Sequence, residues 1–137
     1  MTDLALDTSV AVPFLTRSHV AHQVVQTHLA GRRPALAGHS LVETYAVLTR
    51  LPGDARIAPA DAVALMQAKL DPPLLLHPAT AESIPAVLAS VGIAGGAVYD
   101  AIVALAAREA DLPLATRDLR AASTYAALNV GVEYVTG

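Results

Sequence analysis

Four carboxylates in this sequence stand where a carboxylate needs a reason to be. Asp7 directly follows the apolar run Leu4-Ala5-Leu6, and Asp118 follows Leu112-Pro113-Leu114-Ala115 after only Thr116 and Arg117. Glu43 lies inside Leu41-Val42-Glu43-Thr44-Tyr45-Ala46-Val47-Leu48, and Asp100 inside Val98-Tyr99-Asp100-Ala101-Ile102-Val103-Ala104. An unpaired carboxylate in apolar surroundings is costly, and Asp is a poor residue for a helix interior. Basic partners or a shared divalent cation could compensate. Basic residues are scarce near Asp7, Glu43 and Asp100 in the chain, whereas an all-oxygen cluster suits a hard ion such as Mg2+ or Mn2+. Such an ion lowers the pKa of a bound water, polarises a phosphate and stabilises a leaving oxygen, which is the chemistry of metal-dependent phosphodiester cleavage. Each acid also has a structural use on its own: Asp7 and Asp118 as helix N-caps, Asp100 as a first-turn acid opposing the helix dipole, and Glu43 as capping-box partner of Ser40. It is the four together that favour a shared site.

Other candidates carry less. His19 and His22 have the i, i+3 spacing of a metal-binding pair but read as a solvated or partly packed helix face; His39, just before the Glu43 segment, is better placed. Gly95-Gly96 lacks the Lys-Ser/Thr that a Walker phosphate loop requires. Arg17, Arg50, Arg117 and Arg120 could line a substrate path, although solvated arginine is the plainer reading of each. Aromatic residues make up only 4% of the chain, so base stacking is not the expected mode of nucleic-acid binding.

These residues need elements to position them. Leu4–Leu6 reads as a buried strand running at once into a helix that the Asp7-Thr8-Ser9 side chains can cap. Further helices are expected over 19–30, 40–50, 59–70, 80–91, 97–110 and up to Leu128, and further strands at 35–37, 74–76, 112–115 and 132–134. Strands separated by helices predict an α/β protein whose central, mainly parallel sheet has helices on both faces. In such sheets ligands bind beyond the carboxyl ends of the strands. If the strands before Asp7 and Asp118 are neighbours, both acids face one crevice.

Composition bounds the rest. A chain of 137 residues has room for one domain, residues 1–137, and 54% hydrophobic against 15% charged residues is the opposite of a disordered composition. The absence of cysteine excludes disulfide scaffolds, iron–sulfur centres and thiol nucleophiles. The acidic N-terminus does not read as a signal peptide and no apolar run approaches a membrane span, so a soluble cytoplasmic protein is expected. The formal net charge is −3, so there is no global basic field. Setting the four acids aside leaves eight acidic against nine basic residues, a remainder that need not repel RNA. A small chain this hydrophobic is expected to expose an apolar patch and to form a homodimer.

The order Asp7-Thr8-Ser9, Glu43, Asp100-Ala101-Ile102-Val103-Ala104-Leu105-Ala106 and Thr116-Arg117-Asp118 resembles the PIN-domain ribonucleases, especially the VapC toxins of bacterial toxin–antitoxin pairs. The stretch from His39 to Pro52 is also similar to the corresponding helix of that family, and the resemblance spans the chain. It implies a PIN-like fold, with Asp7, Glu43, Asp100 and Asp118 as catalytic, metal-binding acids supported by Ser9 and Thr116. It further implies Mg2+- or Mn2+-dependent cleavage of RNA, inhibition of translation, and neutralisation by a cognate VapB-type antitoxin. Many relatives carry another acid shortly after the last Asp, where this chain has Leu119-Arg120-Ala121-Ala122, which leaves the number of metal ions open. Two alternatives are a catalytically silent PIN-like binding module and an Asp-nucleophile phosphatase; the latter family has Asp-x-Asp where this chain has Asp7-Thr8-Ser9.

Overall fold

A computed structural model describes all 137 residues. In chain order the elements are β1 (Leu4–Leu6), α1 (Thr8–Leu15), α2 (His22–Leu29), β2 (Pro34–Leu36), α3 (Ser40–Thr49), α4 (Pro59–Lys69), α5 (Pro78–Glu82), α6 (Ile84–Ser90), α7 (Ala97–Glu109), β3 (Leu114–Thr116), α8 (Ala122–Ala127) and β4 (Val132–Tyr134), with single 3-10 turns at Gly53–Ala55 and Leu119–Ala121. The four strands form one sheet in the order β2-β1-β3-β4, and all three pairings are parallel.

Side-chain alternation along these strands builds a core on each face. Leu4, Leu6, Leu36 and Ala115 pack with Val10 and Ala11 of α1 and Val25 and Leu29 of α2. On the other face Ala5, Ala37 and Leu114 meet α7, whose Ala101, Ala104 and Ala107 are small enough to let the helix lie close to the sheet. Leu4, Leu6 and Leu36 are fully or almost fully buried, each contributing about 1.5–3 kcal/mol relative to exposure. Their burial fixes the register that carries Asp7 to the sheet's carboxyl edge. Because β1 leads to β2 on one side and pairs with β3 on the other, the strand order reverses at the β1/β3 boundary, the place where open parallel sheets leave a crevice.

Three elements differ from expectation. Leu74–Leu76 is not a strand: only a parallel bridge joins Leu74 to Ala37, with Leu74 N–H donating to Leu36 C=O and Gly38 N–H to Leu74 C=O, both at 2.8 Å. Pro72 and Pro73 lack the N–H groups that would extend it. The helix expected over 80–91 is two, α5 and α6, meeting at Ser83 before Pro85, since proline has no N–H to donate to the preceding turn and suits the first turn of a new helix. The helix expected from His19 starts at His22, because His19 Nδ1 accepts the Ala21 N–H in a turn at 3.0 Å. No helix is long and apolar enough to cross a membrane.

Candidate active site

Asp7 directly follows β1 at the reversal of strand order, and its N–H donates to Ala115 C=O of β3 at 3.3 Å. It occupies the N-cap position of α1, yet its side chain caps nothing; its carbonyl takes the Val10 and Ala11 N–H groups instead. The carboxylate is only 6% exposed and collects three hydroxyl donors. Ser9 Oγ donates to Oδ1 at 2.6 Å, while Thr116 Oγ1 and Tyr125 Oη donate to Oδ2 at 2.5 and 2.8 Å. Burial pushes the Asp7 pKa up and these bonds pull it partly back. Oδ2 has both lone pairs occupied, and Oδ1 retains one.

The same hydroxyls shape the loop after β3. Ser9 Oγ accepts the Arg117 N–H at 2.7 Å and Thr116 Oγ1 accepts the Asp118 N–H at 3.0 Å. With both hydroxyl protons committed to Asp7, the 3.3 Å approach of Ser9 Oγ to Thr116 Oγ1 has no proton between the atoms. Asp118 does cap: its Oδ1 accepts the Arg120 N–H at 3.0 Å at the start of a 3-10 turn, and the Arg120 Nε–H at 3.3 Å. Its other oxygen makes no hydrogen bond.

Glu43 and Asp100 arrive on two helices held by backbone contact. Gly38, in the left-handed region at φ 53°, has no room for a side chain, because a Cβ there would lie 2.7 Å from the Ile102 carbonyl oxygen of α7. Thr44, next to Glu43, donates to Thr8 Oγ1 of α1 at 3.4 Å. The Ser40–Glu43 capping box does not form. Ser40 is buried, donating toward the Ala37 and Leu6 carbonyls and accepting the Ala37 N–H, so its hydroxyl is used up between β1 and β2. Glu43 is exposed rather than enclosed in apolar side chains, and Asp100 is half-buried; neither side chain accepts a hydrogen bond. Burial raises the Asp100 pKa, and the negative charges of Asp118, Asp7 and Glu43 raise it further, against a weaker opposing pull from Arg120. All four acids therefore share one electrostatic neighbourhood.

The residue sequence reasoning missed is Tyr125. Its ring is buried and its O–H bonds to Asp7 across 118 residues of chain. Burial and the nearby Asp7 carboxylate push its own pKa well up, so it stays a proton donor. The signal available was that a buried tyrosine needs a partner for its hydroxyl. The other candidates serve local structure: His22 Nδ1–H donates to Pro13 C=O at 2.8 Å, and Arg117 Nη1–H donates to Val135 C=O at 3.1 Å.

As a donor set the four acids are all oxygen, which fits Mg2+ or Mn2+ and not a soft metal. No three acidic or histidine side chains are drawn together tightly enough to coordinate one ion as they stand. Glu43 and Asp100, free of hydrogen bonds, are the two able to close by side-chain rotation at little cost.

A PIN-domain family model matches residues 4–127, and the chain is 56% identical over 129 residues to Ribonuclease VapC27 of Mycobacterium tuberculosis, covering 94% of each. The chain is a PIN-domain protein of the VapC type. It is also 42% identical over 134 residues to Ribonuclease VapC40 of Mycobacterium tuberculosis, covering 97% of this chain and 99% of that one. Among solved structures, VapBC2 from Rickettsia felis bound to a DNA fragment from its promoter superposes with a TM-score of 0.66 at 14% identity, over 97% of this chain and 98% of its own. The all-parallel sheet with helices on both faces is thus the PIN-domain fold of the VapC structures.

Proposed function

We propose that this VapC-type chain is an endoribonuclease toxin that cleaves RNA phosphodiester bonds with a divalent cation, Mg2+ or Mn2+, held by Asp7, Glu43, Asp100 and Asp118. What supports this reading is that Asp7 and Asp118 follow the neighbouring strands β1 and β3 and that Asp100 feels the negative charges of Asp118, Asp7 and Glu43 more strongly than the opposing charge of Arg120. Uncompensated like charges in one place are costly, and a cation shared among them removes that cost. When bound, it supplies a water of lowered pKa and offsets charge on the phosphate. The chain's own residues do the positioning. Ser9, Thr116 and Tyr125 fix the Asp7 carboxylate so that one Oδ1 lone pair points away from its three donors. Asp118 keeps its unbonded oxygen for the site, and Arg120, whose side chain is 93% exposed, stands beside it to meet a phosphate oxygen.

The names of its relatives support RNA as the substrate and a VapB-type antitoxin as the inhibitory partner. An apolar cavity of about 600 Å3 between α3 and α4, lined by Leu41, Val42, Tyr45, Val63 and Met66, would take the apolar face of a partner helix. In this reading residues 1–137 act as one PIN domain in the cytoplasm, as a homodimer, and cleavage inhibits translation.

The test is incubation of the purified chain with single-stranded RNA in EDTA and in Mn2+. Cleavage should require Mn2+, and Asp100→Asn should slow it on the order of 10²-fold or more with an unchanged far-UV circular dichroism spectrum. Cleavage that persists in EDTA, or near-wild-type activity of Asp100→Asn, would contradict the reading.

A further inference from the structure

Beside the acids, two aromatic side chains have no part in holding Asp7. Tyr99 lies in the first turn of α7, immediately before Asp100, and remains 55% exposed. His39 immediately precedes α3, one helical turn before Glu43, whose N–H donates to the His39 carbonyl at 3.2 Å. Their ring centroids are 4.7 Å apart with planes tilted by 36°, within the range of attractive aromatic pairs. The pairing is set by backbone, since the close approach of Gly38 to the Ile102 carbonyl fixes the start of α3 against α7. The ring pair thus joins α3, one turn before Glu43, to the first turn of α7, which carries Asp100.

We propose that the His39–Tyr99 pair is a stacking platform for one base of the RNA strand, beside the phosphate that the acids address. The inference rests on the RNA-cleaving reading of the acidic site and adds how the strand is held there. Tyr99 leaves about half of its surface in water although the ring is apolar, and a base has a flat π-face of matching size that any nucleotide can supply. The tilted imidazole backs the phenol ring and restricts its orientation; His39 is a positioning residue in this scheme. A platform on two packed helices holds a base more firmly than a side chain on a loop. The low aromatic content of the chain argued against stacking in general. The structure places one of its few exposed aromatic rings next to Asp100, where a single base contact is enough to set strand register.

The test uses the full chain in Mn2+, titrated with single-stranded RNA that contains 2-aminopurine, whose fluorescence falls on stacking, and a phosphorothioate backbone that resists cleavage. Wild type and Tyr99→Phe should both quench it. Tyr99→Leu, which keeps an apolar side chain and an intact helix but no flat face, should lose the quench and bind about 5- to 150-fold more weakly. With unmodified RNA the same variant should raise KM for cleavage by a similar factor while kcat changes less. Quenching and affinity unchanged in Tyr99→Leu, or a wild type that cleaves RNA but never quenches, would overturn the platform and leave the acidic site standing. A wild type that fails to cleave any RNA in Mn2+ would overturn the site reading and the platform together.

Discussion

The hydroxyl of Tyr125 donates to Oδ2 of Asp7 at 2.8 Å, joining the buried end of β1 to a helix 118 residues further along the chain. That bond, with those from Ser9 and Thr116, lets a carboxylate stay at the carboxyl edge of the sheet without a basic partner. Removing the donor disfavours the ionised form, so Tyr125→Phe should push the Asp7 pKa further up. It should also lower stability by about 1–3 kcal/mol at neutral pH, measured by urea denaturation. A variant as stable as wild type would show that the bond contributes nothing net.

Gly38→Ala tests the contact that holds the two acid-bearing helices together. Its Cβ would meet the backbone of Ile102, which cannot swing aside as a side-chain tip could, and φ is positive as well. We expect a loss of about 1–3 kcal/mol together with slower RNA cleavage, since α3 would move away from α7. A stable variant with unchanged cleavage would mean that the helices need not approach so closely.

Much of this arrangement is legible before folding, and the gaps have physical causes. Strands buried on both faces read as short apolar runs, so Leu4–Leu6 and the segment ending at Thr116 stand out, along with the acids after them. That their two strands are neighbours is a long-range fact, established only by the pairing of Ala5 with Leu114 and Leu6 with Ala115. Local patterns failed where a distant group competed. Ser40 has capping-box spacing to Glu43, but its hydroxyl turns back between the strands, 2.6 Å from the Ala37 carbonyl and 3.1 Å from that of Leu6, 34 positions earlier. Asp7 has the position of a cap, but Thr116 and Tyr125 claim its side chain. Tyr125 was overlooked for the same reason: nothing beside it in the chain announces its partner.

Acid should weaken the far edge of the sheet. Glu133 of β4 receives a two-pronged bond from Arg32, at 2.7 and 2.9 Å, and a third contact from His28 at 2.8 Å. The Arg32 bonds, followed by His28, hold its pKa down at about 2 against an ordinary 4.5. A depressed carboxylate pKa stabilises the fold above its unfolded value, and that stability is lost as pH falls through the folded one. Glu133→Gln should therefore melt below wild type at neutral pH, and the gap should close as pH is lowered from 4.5 towards about 2. A gap independent of pH would place the effect in packing rather than charge.

The central claim is that Asp7, Glu43, Asp100 and Asp118 share one divalent cation, and the most direct measurement is the melting temperature of wild type and Asp100→Asn in EDTA and across a Mn2+ titration. A raised carboxylate pKa means that the ionised group opposes folding at neutral pH, so in EDTA the Asp100→Asn variant should melt above wild type. Mn2+ should then raise the wild-type midpoint by more than that of the variant, because a ligand that binds only the folded state stabilises it in proportion to its affinity. Equal Mn2+-induced shifts in the two proteins would contradict a cation held in common by these four acids.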